Sequence, residues 1–426
     1  MKISGKLKKF SSEISVPSDK SITHRLFIFA LSSKKESVIR NPLLGADTLS
    51  TLTIVEQLGG KVERQEKTII IKGKGLRDFD EPTDILNCGN SGTTIRLFSG
   101  LLASERKGLF ILTGDNSLRN RPMGRIIRPL SIMGANIFSR KNFLAPLAIV
   151  GNKSGLNGIN YEMPISSAQL KSCLILAGLK ANSDSIIVEP FPSRDHTELI
   201  LSYLGINIKK INNSIYVYPS EDLNPFDLTV PGDPSSAAFF VVLAILIPGS
   251  KLLVREVCLN PLRIGYIEVL KRMGAKITLE YSSFSPEPIG NIFVEGTEKL
   301  TATNIFPEEV PKIIDEIPII SIAMALAEGK SEISGAFDLR KKESDRINAI
   351  CFNLKNMGIK VTEKEDGFIV EGPNEIRSSN IKTFDDHRIA MAFTIAALLA
   401  DGESQIDNPS CCSISFPDFY DKLKEL

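Results

Sequence analysis

A pattern of roughly 70 residues recurs six times along the chain and constrains the fold more than any single motif. A small, polar opening runs into an apolar helix at 17-PSDKSITHRLFIFAL-31, 88-CGNSGTTIRLFSGLLA-103, 164-PISSAQLKSCLILAGL-179, 231-PGDPSSAAFFVVLAIL-246, 314-IDEIPIISIAMALAEG-329 and 384-FDDHRIAMAFTIAALLA-400. Five of these openings are followed by a second marker, a glycine between a helix and a strand: 58-LGGKV-62, 133-MGANI-137, 204-LGINI-208, 273-MGAKI-277 and 357-MGIKV-361. The helix before each marker is amphipathic, as in 266-YIEVLKRM-273, and alternating strand segments such as 61-KVERQEKTIIIKG-73 come after it. Each unit reads as strand, helix, strand, helix, strand, strand. The expected fold is therefore α/β and pseudo-symmetric, with six βαβαββ units divided three and three between two domains.

Composition removes several classes of function. The 426 residues carry 51 Lys+Arg and 50 Asp+Glu, a net charge of +1, which supplies no basic field for a nucleic acid or an anionic membrane. Any anion site must be local. Apolar runs such as 237-AAFFVVLAILI-247 are about half the ~20 residues that span a bilayer and read as buried helices. The opening residues, MKISGKLKKFSSEISVP, read as a strand and not as a signal peptide. The six cysteines form no C-x-x-C pair and are accompanied by only three histidines, so they read as reduced core residues and not as a zinc site.

The repeat gives the openings a chemical meaning. A helix N-terminus carries amides without intrahelical partners and about half a positive charge. If the six apolar helices lie parallel, several such ends face one way and form an anion-binding pole without raising net charge. In 89-GNSGTTIRL-97, Gly89 and Gly92 let backbone amides approach a ligand, although the P-loop lysine is missing. In 18-SDKSITHR-25, Ser18 is placed to cap a helix whose first turn holds Lys20, with Arg25 one turn beyond Ser21. Four arginines crowd 119-RNRPMGRIIR-128, where Pro122 suits a first helical position and Arg121 and Arg125 fall four apart. Lys342 and Arg346 repeat that spacing in 340-RKKESDRI-347, with Glu343 between them. Asp315 and Glu316 open the fifth apolar helix, and His387 and Arg388 the sixth. Each feature also has a plain structural reading: a solvated helix end, a surface ion pair, an aspartate cap or a buried histidine. Together they describe lysines and arginines at helix starts with a few carboxylates among them. That suits two anionic substrates, at least one phosphorylated, and acid–base chemistry without a metal.

The stretches DKSITHR, GNSGTTIR, RPMGR, SAQLKS, SRDHTE, DEIP, LRKKESDRI, DHRIAM and SFPDF, in that order over nearly the whole chain, resemble those of the EPSP synthases, a family of enolpyruvyl transferases. The resemblance implies an inverse α/β barrel architecture, with one domain over 18–231, the other over 1–17 and 232–426, and hinges near 17–20 and 230–233. It implies transfer of the enolpyruvyl group of phosphoenolpyruvate to the 5-hydroxyl of shikimate 3-phosphate, with no cofactor and no metal, by a monomeric cytoplasmic enzyme. By matching motif, shikimate 3-phosphate would be held by Lys20, Ser21, Arg25, Ser167, Gln169, Arg194, Asp315 and Lys342. Phosphoenolpyruvate would be held by Lys20, Gly92, Arg121, Gln169, Arg346 and Arg388, with Asn90, Arg96 and His387 in support. Asp315 would take the hydroxyl proton, Glu343 would act on the methylene carbon, and Lys20 would share the proton work. The chain departs from the family at Ile414, where many members have a lysine, and at Ala168, where one sequence class has a second serine. Two rivals share the fold. A UDP-N-acetylglucosamine enolpyruvyl transferase would carry a loop cysteine that 113-TGDNSLRNRP-122 lacks, and a non-catalytic scaffold would have no reason to keep Asp315 and Glu343.

Overall fold

A computed structural model describes residues 1–4, 6–77 and 79–426. The chain divides into two compact units, one of residues 18–230 with 285–287, the other of residues 1–17, 231–284 and 288–426.

The first unit contains three four-stranded sheets of one design. In the middle one, Leu86–Asn87 pairs parallel with Leu109–Thr113, and the helix Gly92–Ala103 makes the crossover between them. Leu144–Val150 and Asn136–Arg140 then add on as antiparallel strands. The sheet of Asn160–Glu162, Ser185–Val188, Ser214–Val217 and Ile208–Ile211 repeats this around the helix Ala168–Gly178. In the remaining sheet, Glu36–Arg40 follows the helix Lys20–Leu31, and its parallel partner is Asp227–Thr229 from far along the chain. The second unit mirrors that substitution. Its helix Pro234–Ile245 leads to Lys251–Cys258, whose parallel partner is Ser11–Ser15 from near the N-terminus.

The other two sheets of the second unit fall short of the six full units expected. Gly329–Ile333, Gly367–Gly372 and Lys360–Lys364 make a three-stranded sheet, whose missing parallel strand is reduced to isolated bridges such as Ile305 to Ile333. The last sheet pairs Asn380–Ile381 with Glu403–Ile406 and takes its antiparallel strand, Lys2–Ser4, from the other end of the chain. The fold is thus mixed α/β built on six separate sheets, and among the described residues none closes into a barrel.

Local chemistry explains these elements. The six helices behind the openings are mostly apolar and bury nearly every residue, including a few charged side chains such as Arg25, Arg96 and Lys171; Pro234–Ile245 buries all of them. Strands such as Glu36–Arg40 alternate, with one face on the helices and the other toward solvent. The five glycine markers have left-handed φ values of +93° (Gly59), +98° (Gly134), +87° (Gly205), +100° (Gly274) and +82° (Gly358). Each stands just past a helix end, where a side chain would be strained, and turns the chain into the next strand. All six cysteines are buried. Among the described residues no helix is long and apolar enough to cross a membrane.

Candidate active site

Each unit gathers its share of the expected residues at or near the N-terminal ends of its helices.

In the 18–230 unit, Lys20 is the first residue of its helix. The cap is Asp19, which accepts a hydrogen bond from the Ile22 amide (2.8 Å), and not Ser18 as the sequence suggested. A lysine there opposes the helix dipole, and the compensating anion is in the protein: Asp47 lies 2.5 Å from Lys20 Nζ. Arg25, one turn on, is buried, and each of its three guanidinium nitrogens donates a hydrogen bond. It donates to the Ser21 carbonyl (2.9 Å), to Thr197 Oγ1 (2.8 Å) and to Ser172 Oγ (2.9 Å). Three segments that lie far apart in sequence therefore meet at one guanidinium.

Gly92 is the first residue of the next helix, capped by Ser91, whose hydroxyl accepts from the Thr94 amide (3.1 Å). Arg96 folds back from that helix to the Gly92 carbonyl (3.2 Å) and reaches Gln169 Oε1 (2.6 Å), and Gln169 donates to Thr93 Oγ1 (3.0 Å). Arg121 donates to Asn90 Oδ1 (2.6 Å) and Ser117 Oγ (3.2 Å). The helix after Pro122 begins only at Gly124, so Arg121 lies outside it and the helical pairing of Arg121 with Arg125 does not form. The Arg121 amide instead closes the preceding turn, donating to the Leu118 carbonyl (3.1 Å). Ser167 caps the helix Ala168–Gly178 and accepts from the Leu170 amide (3.3 Å). Arg194 is half-buried in the segment before the helix His196–Tyr203.

A buried chain of hydroxyls ties these helix starts together. His24 Nδ1 lies 2.7 Å from Thr51 Oγ1, which lies 2.6 Å from Thr94 Oγ1, which donates to the Ser91 cap (2.7 Å). Burial drives the His24 pKa down to about 3; Asp47 opposes the shift, and Lys20 and Arg25 add to it. His24 is therefore neutral in the folded protein at ordinary pH.

In the other unit, Asp315 lies just before the helix Ile317–Leu326. Its Oδ1 is 3.4 Å from Lys342 Nζ and 3.3 Å from Arg346 Nη1, and its Oδ2 is 3.6 Å from Arg388 Nη2. Arg388 also donates to the Asp315 carbonyl (3.2 Å). Arg346 opens the helix Arg346–Asn356 and binds Glu343 Oε2 at 2.7 Å, so Asp315 and Glu343 share one guanidinium. Lys342 precedes this helix and is not on it; it meets Arg346 through Asp315 and not through a helical i, i+4 contact. His387, the first residue of the helix His387–Leu399, is buried beside Arg388. Ile414, at the position of the family lysine, is half-buried in the 3₁₀ turn Pro409–Ile414 and contributes no charge.

Sequence reasoning missed the residue that anchors this cluster. Asp386 is completely buried. It accepts from Arg346 Nε (2.8 Å) and Nη2 (3.2 Å), from the Ser344 hydroxyl (3.1 Å) and from the Arg388 amide at its helix start (2.9 Å). Burial works to raise its pKa, but the Arg346 charge and hydrogen bonds prevail and hold it below the usual carboxylate value. Burial likewise works against the Arg346 charge, and Asp386, Glu343 and Asp315 together outweigh it. Asp386 lies within the quoted 385-DDHR-388, but nothing local distinguishes it from Asp385. Asp47 lies in no quoted motif and gave no signal.

This architecture of six sheets packed on buried helices recurs in a solved structure of low sequence identity. The enolpyruvyl transferase NikO from Streptomyces tendae has this fold, with a TM-score of 0.78 at 15% identity over 100% of this chain and 96% of its own. The family is closer at hand: the model for EPSP synthase (3-phosphoshikimate 1-carboxyvinyltransferase) matches residues 5–423, and the chain belongs to that family. A 3-phosphoshikimate 1-carboxyvinyltransferase from Thermodesulfovibrio yellowstonii is 47% identical over 99% of this chain and 98% of its own. One from Helicobacter pylori is 48% identical over 94% and 95%. The EPSP synthase structure from Acinetobacter baumannii has a TM-score of 0.87 at 38% identity, covering 99% of this chain and 96% of that one.

Proposed function

We propose that the chain performs its family's reaction with the residues of both clusters in the roles that the family resemblance implies. It is an enzyme of the shikimate pathway that transfers the enolpyruvyl group of phosphoenolpyruvate to shikimate 3-phosphate. In this reading Lys20, Ser21, Arg25, Ser167, Gln169, Arg194, Asp315 and Lys342 hold shikimate 3-phosphate. Lys20, Gly92, Arg121, Gln169, Arg346 and Arg388 hold phosphoenolpyruvate, and Asn90, Arg96 and His387 support them. The 5-hydroxyl oxygen attacks C2 of phosphoenolpyruvate and its proton passes to the Asp315 carboxylate, while Glu343, entering as the neutral acid, gives its proton to the methylene carbon. In the resulting tetrahedral adduct Glu343 takes a proton back from the methyl group, the bond between C2 and the bridging phosphate oxygen breaks, and the hydroxyl proton leaves with the phosphate. Lys20, beside Asp47, shares the proton work.

The observation that carries this reading is the pairing of Asp315 and Glu343 on Arg346, with Lys342 and Arg388 also on Asp315. Two carboxylates fixed by one guanidinium can act on neighbouring atoms while the cations around them attract an anionic substrate. Asp315→Asn and Glu343→Gln should each lower kcat by at least about 10²-fold in folded protein. Turnover within tenfold of wild type in both variants would refute the assignment. The reading also takes 18–231 and the pair 1–17 and 232–426 as domains hinged near 17–20 and 230–233, which is supported by chain crossings at 17/18 and 230/231. It takes the enzyme to be a cytoplasmic monomer, which buried cysteines suit; sedimentation and cell fractionation test those two points.

A further inference from the structure

Lys171 is a lysine with no accessible surface, the fourth residue of the helix that Ser167 caps. Burying an ammonium is costly unless its environment compensates in full. Its Nζ lies 3.0 Å from Glu189 Oε1, 2.8 Å from Glu198 Oε1 and 3.0 Å from the Ser193 carbonyl. These contacts outweigh burial and hold the Lys171 pKa above lysine's ordinary value.

The partners show what this arrangement fastens. Residues 189–195, between the strand Ser185–Val188 and the helix His196–Tyr203, form no regular secondary structure that could fix their course. Lys171 holds the Ser193 carbonyl, and the other oxygen of Glu189 accepts from the Ser193 amide (3.0 Å) and hydroxyl (2.6 Å). Both backbone groups of Ser193 are thereby fixed, one residue before Arg194. The next residue on the Lys171 helix continues the clamp. Ser172 shares a hydrogen bond with Thr197 (2.7 Å), and both accept from Arg25. Two consecutive residues of one helix thus grip two consecutive residues of the other, Lys171 to Glu198 and Ser172 to Thr197, with the Arg194 segment held beside them.

We infer that Lys171 is the positioning residue for the group that binds the phosphate of shikimate 3-phosphate: it sets Arg194 in place against Ser167 and Arg25 without touching substrate. This rests on the assignment of those three residues to shikimate 3-phosphate. An apolar residue could fill the same volume without the desolvation cost, so a buried lysine here gives placement and not simply stability.

The test compares Lys171→Met, Arg194→Ala and the double variant in steady-state kinetics, with circular dichroism to confirm folding. Lys171→Met should raise KM for shikimate 3-phosphate about tenfold or more, because misplacing a binding group by about 1 Å can cost up to about 10²-fold. KM for phosphoenolpyruvate should stay within about twofold. The double variant should be no worse than Arg194→Ala by more than about twofold, because one residue acts through the other. Lys171→Met leaves two buried carboxylates without their cation and can fail to fold. The variant Lys171→Met/Glu189→Gln/Glu198→Gln removes all three charges together and should show the same selective defect. An unchanged KM for shikimate 3-phosphate in either folded variant, or an equal rise for both substrates, overturns the positioning role, provided that Arg194→Ala raises the shikimate 3-phosphate KM. If Arg194→Ala leaves that KM unchanged, the assignment of the phosphate site fails and the inference fails with it.

Discussion

Replacing Asp386 by asparagine should cost both stability and phosphoenolpyruvate binding, in amounts the structure allows to be worked out. The carboxylate accepts two hydrogen bonds from Arg346, which is 1% exposed, and has no accessible surface of its own. Removing one member of a buried ion pair costs about 3–5 kcal/mol, because the remaining charge is left poorly compensated. Here Arg346 keeps Glu343 at 2.7 Å and Asp315 at 3.3 Å, which places the expectation near the lower end, about 3 kcal/mol. The asparagine oxygen still accepts from the Arg388 amide, so the helix cap survives; Asp386→Ala would lose it as well, for about 1 kcal/mol more. For a unit of this size, about 3 kcal/mol corresponds to a fall of about 6–12 °C in the melting transition. The assay is thermal and urea unfolding monitored beside KM for phosphoenolpyruvate. A neutral amide cannot hold the Arg346 guanidinium as a bidentate anion does, so that KM should rise about tenfold. A transition lowered by less than about 1 kcal/mol would refute the energetic argument. A lowered transition with an unchanged KM would show that Asp386 does not position Arg346 for substrate.

Other expectations follow from single distances and one perturbed histidine. A methyl group added at Gly92 would sit 2.5 Å from Arg96 Nη1 and 3.5 Å from Arg121 Nη1, the ends of flexible side chains. Gly92→Ala should therefore fold normally yet raise KM for phosphoenolpyruvate more than for shikimate 3-phosphate; equal effects on both would count against placing Gly92 at the former. His24, with its pKa near 3 when folded and near 6.5 when unfolded, takes up a proton on unfolding between those values. Its contribution to stability is complete above pH 6.5 and is lost as pH falls toward 3, at about 1.4 kcal/mol per pH unit. His24→Leu should flatten the pH dependence of the unfolding free energy in that window by about one proton, and an unchanged slope would contradict the buried neutral state.

The fold was legible where the physics is local. An apolar run too short for a membrane must be a buried helix, and a glycine after an amphipathic helix must end it; all five such glycines took a left-handed φ. No local pattern carries the strands exchanged near the N-terminus and residue 230, whose partners lie more than 180 residues away; the expectation that 1–17 belongs with 232–426 comes from the family resemblance alone. The same limit applies to the candidate site residues. Lys20, Arg121, Asp315 and Arg388 stood out as charges at helix starts. Asp19 displaced Ser18 as the cap because its carboxylate reaches the Ile22 amide, and Gly124 displaced Pro122 as the start of its helix, both within the few residues over which helix ends are hard to place. Asp47, Lys171 and Asp386 act on partners 27, 18 to 27 and 40 residues away, and only the folded chain shows what they hold.

The most direct test of the central claim is phosphate release from phosphoenolpyruvate by the purified chain, with shikimate 3-phosphate in one reaction and UDP-N-acetylglucosamine in another. Stoichiometric phosphate is expected with shikimate 3-phosphate and none above background with the sugar nucleotide. Release with the sugar nucleotide alone, or no release in either reaction from folded protein, would contradict that claim.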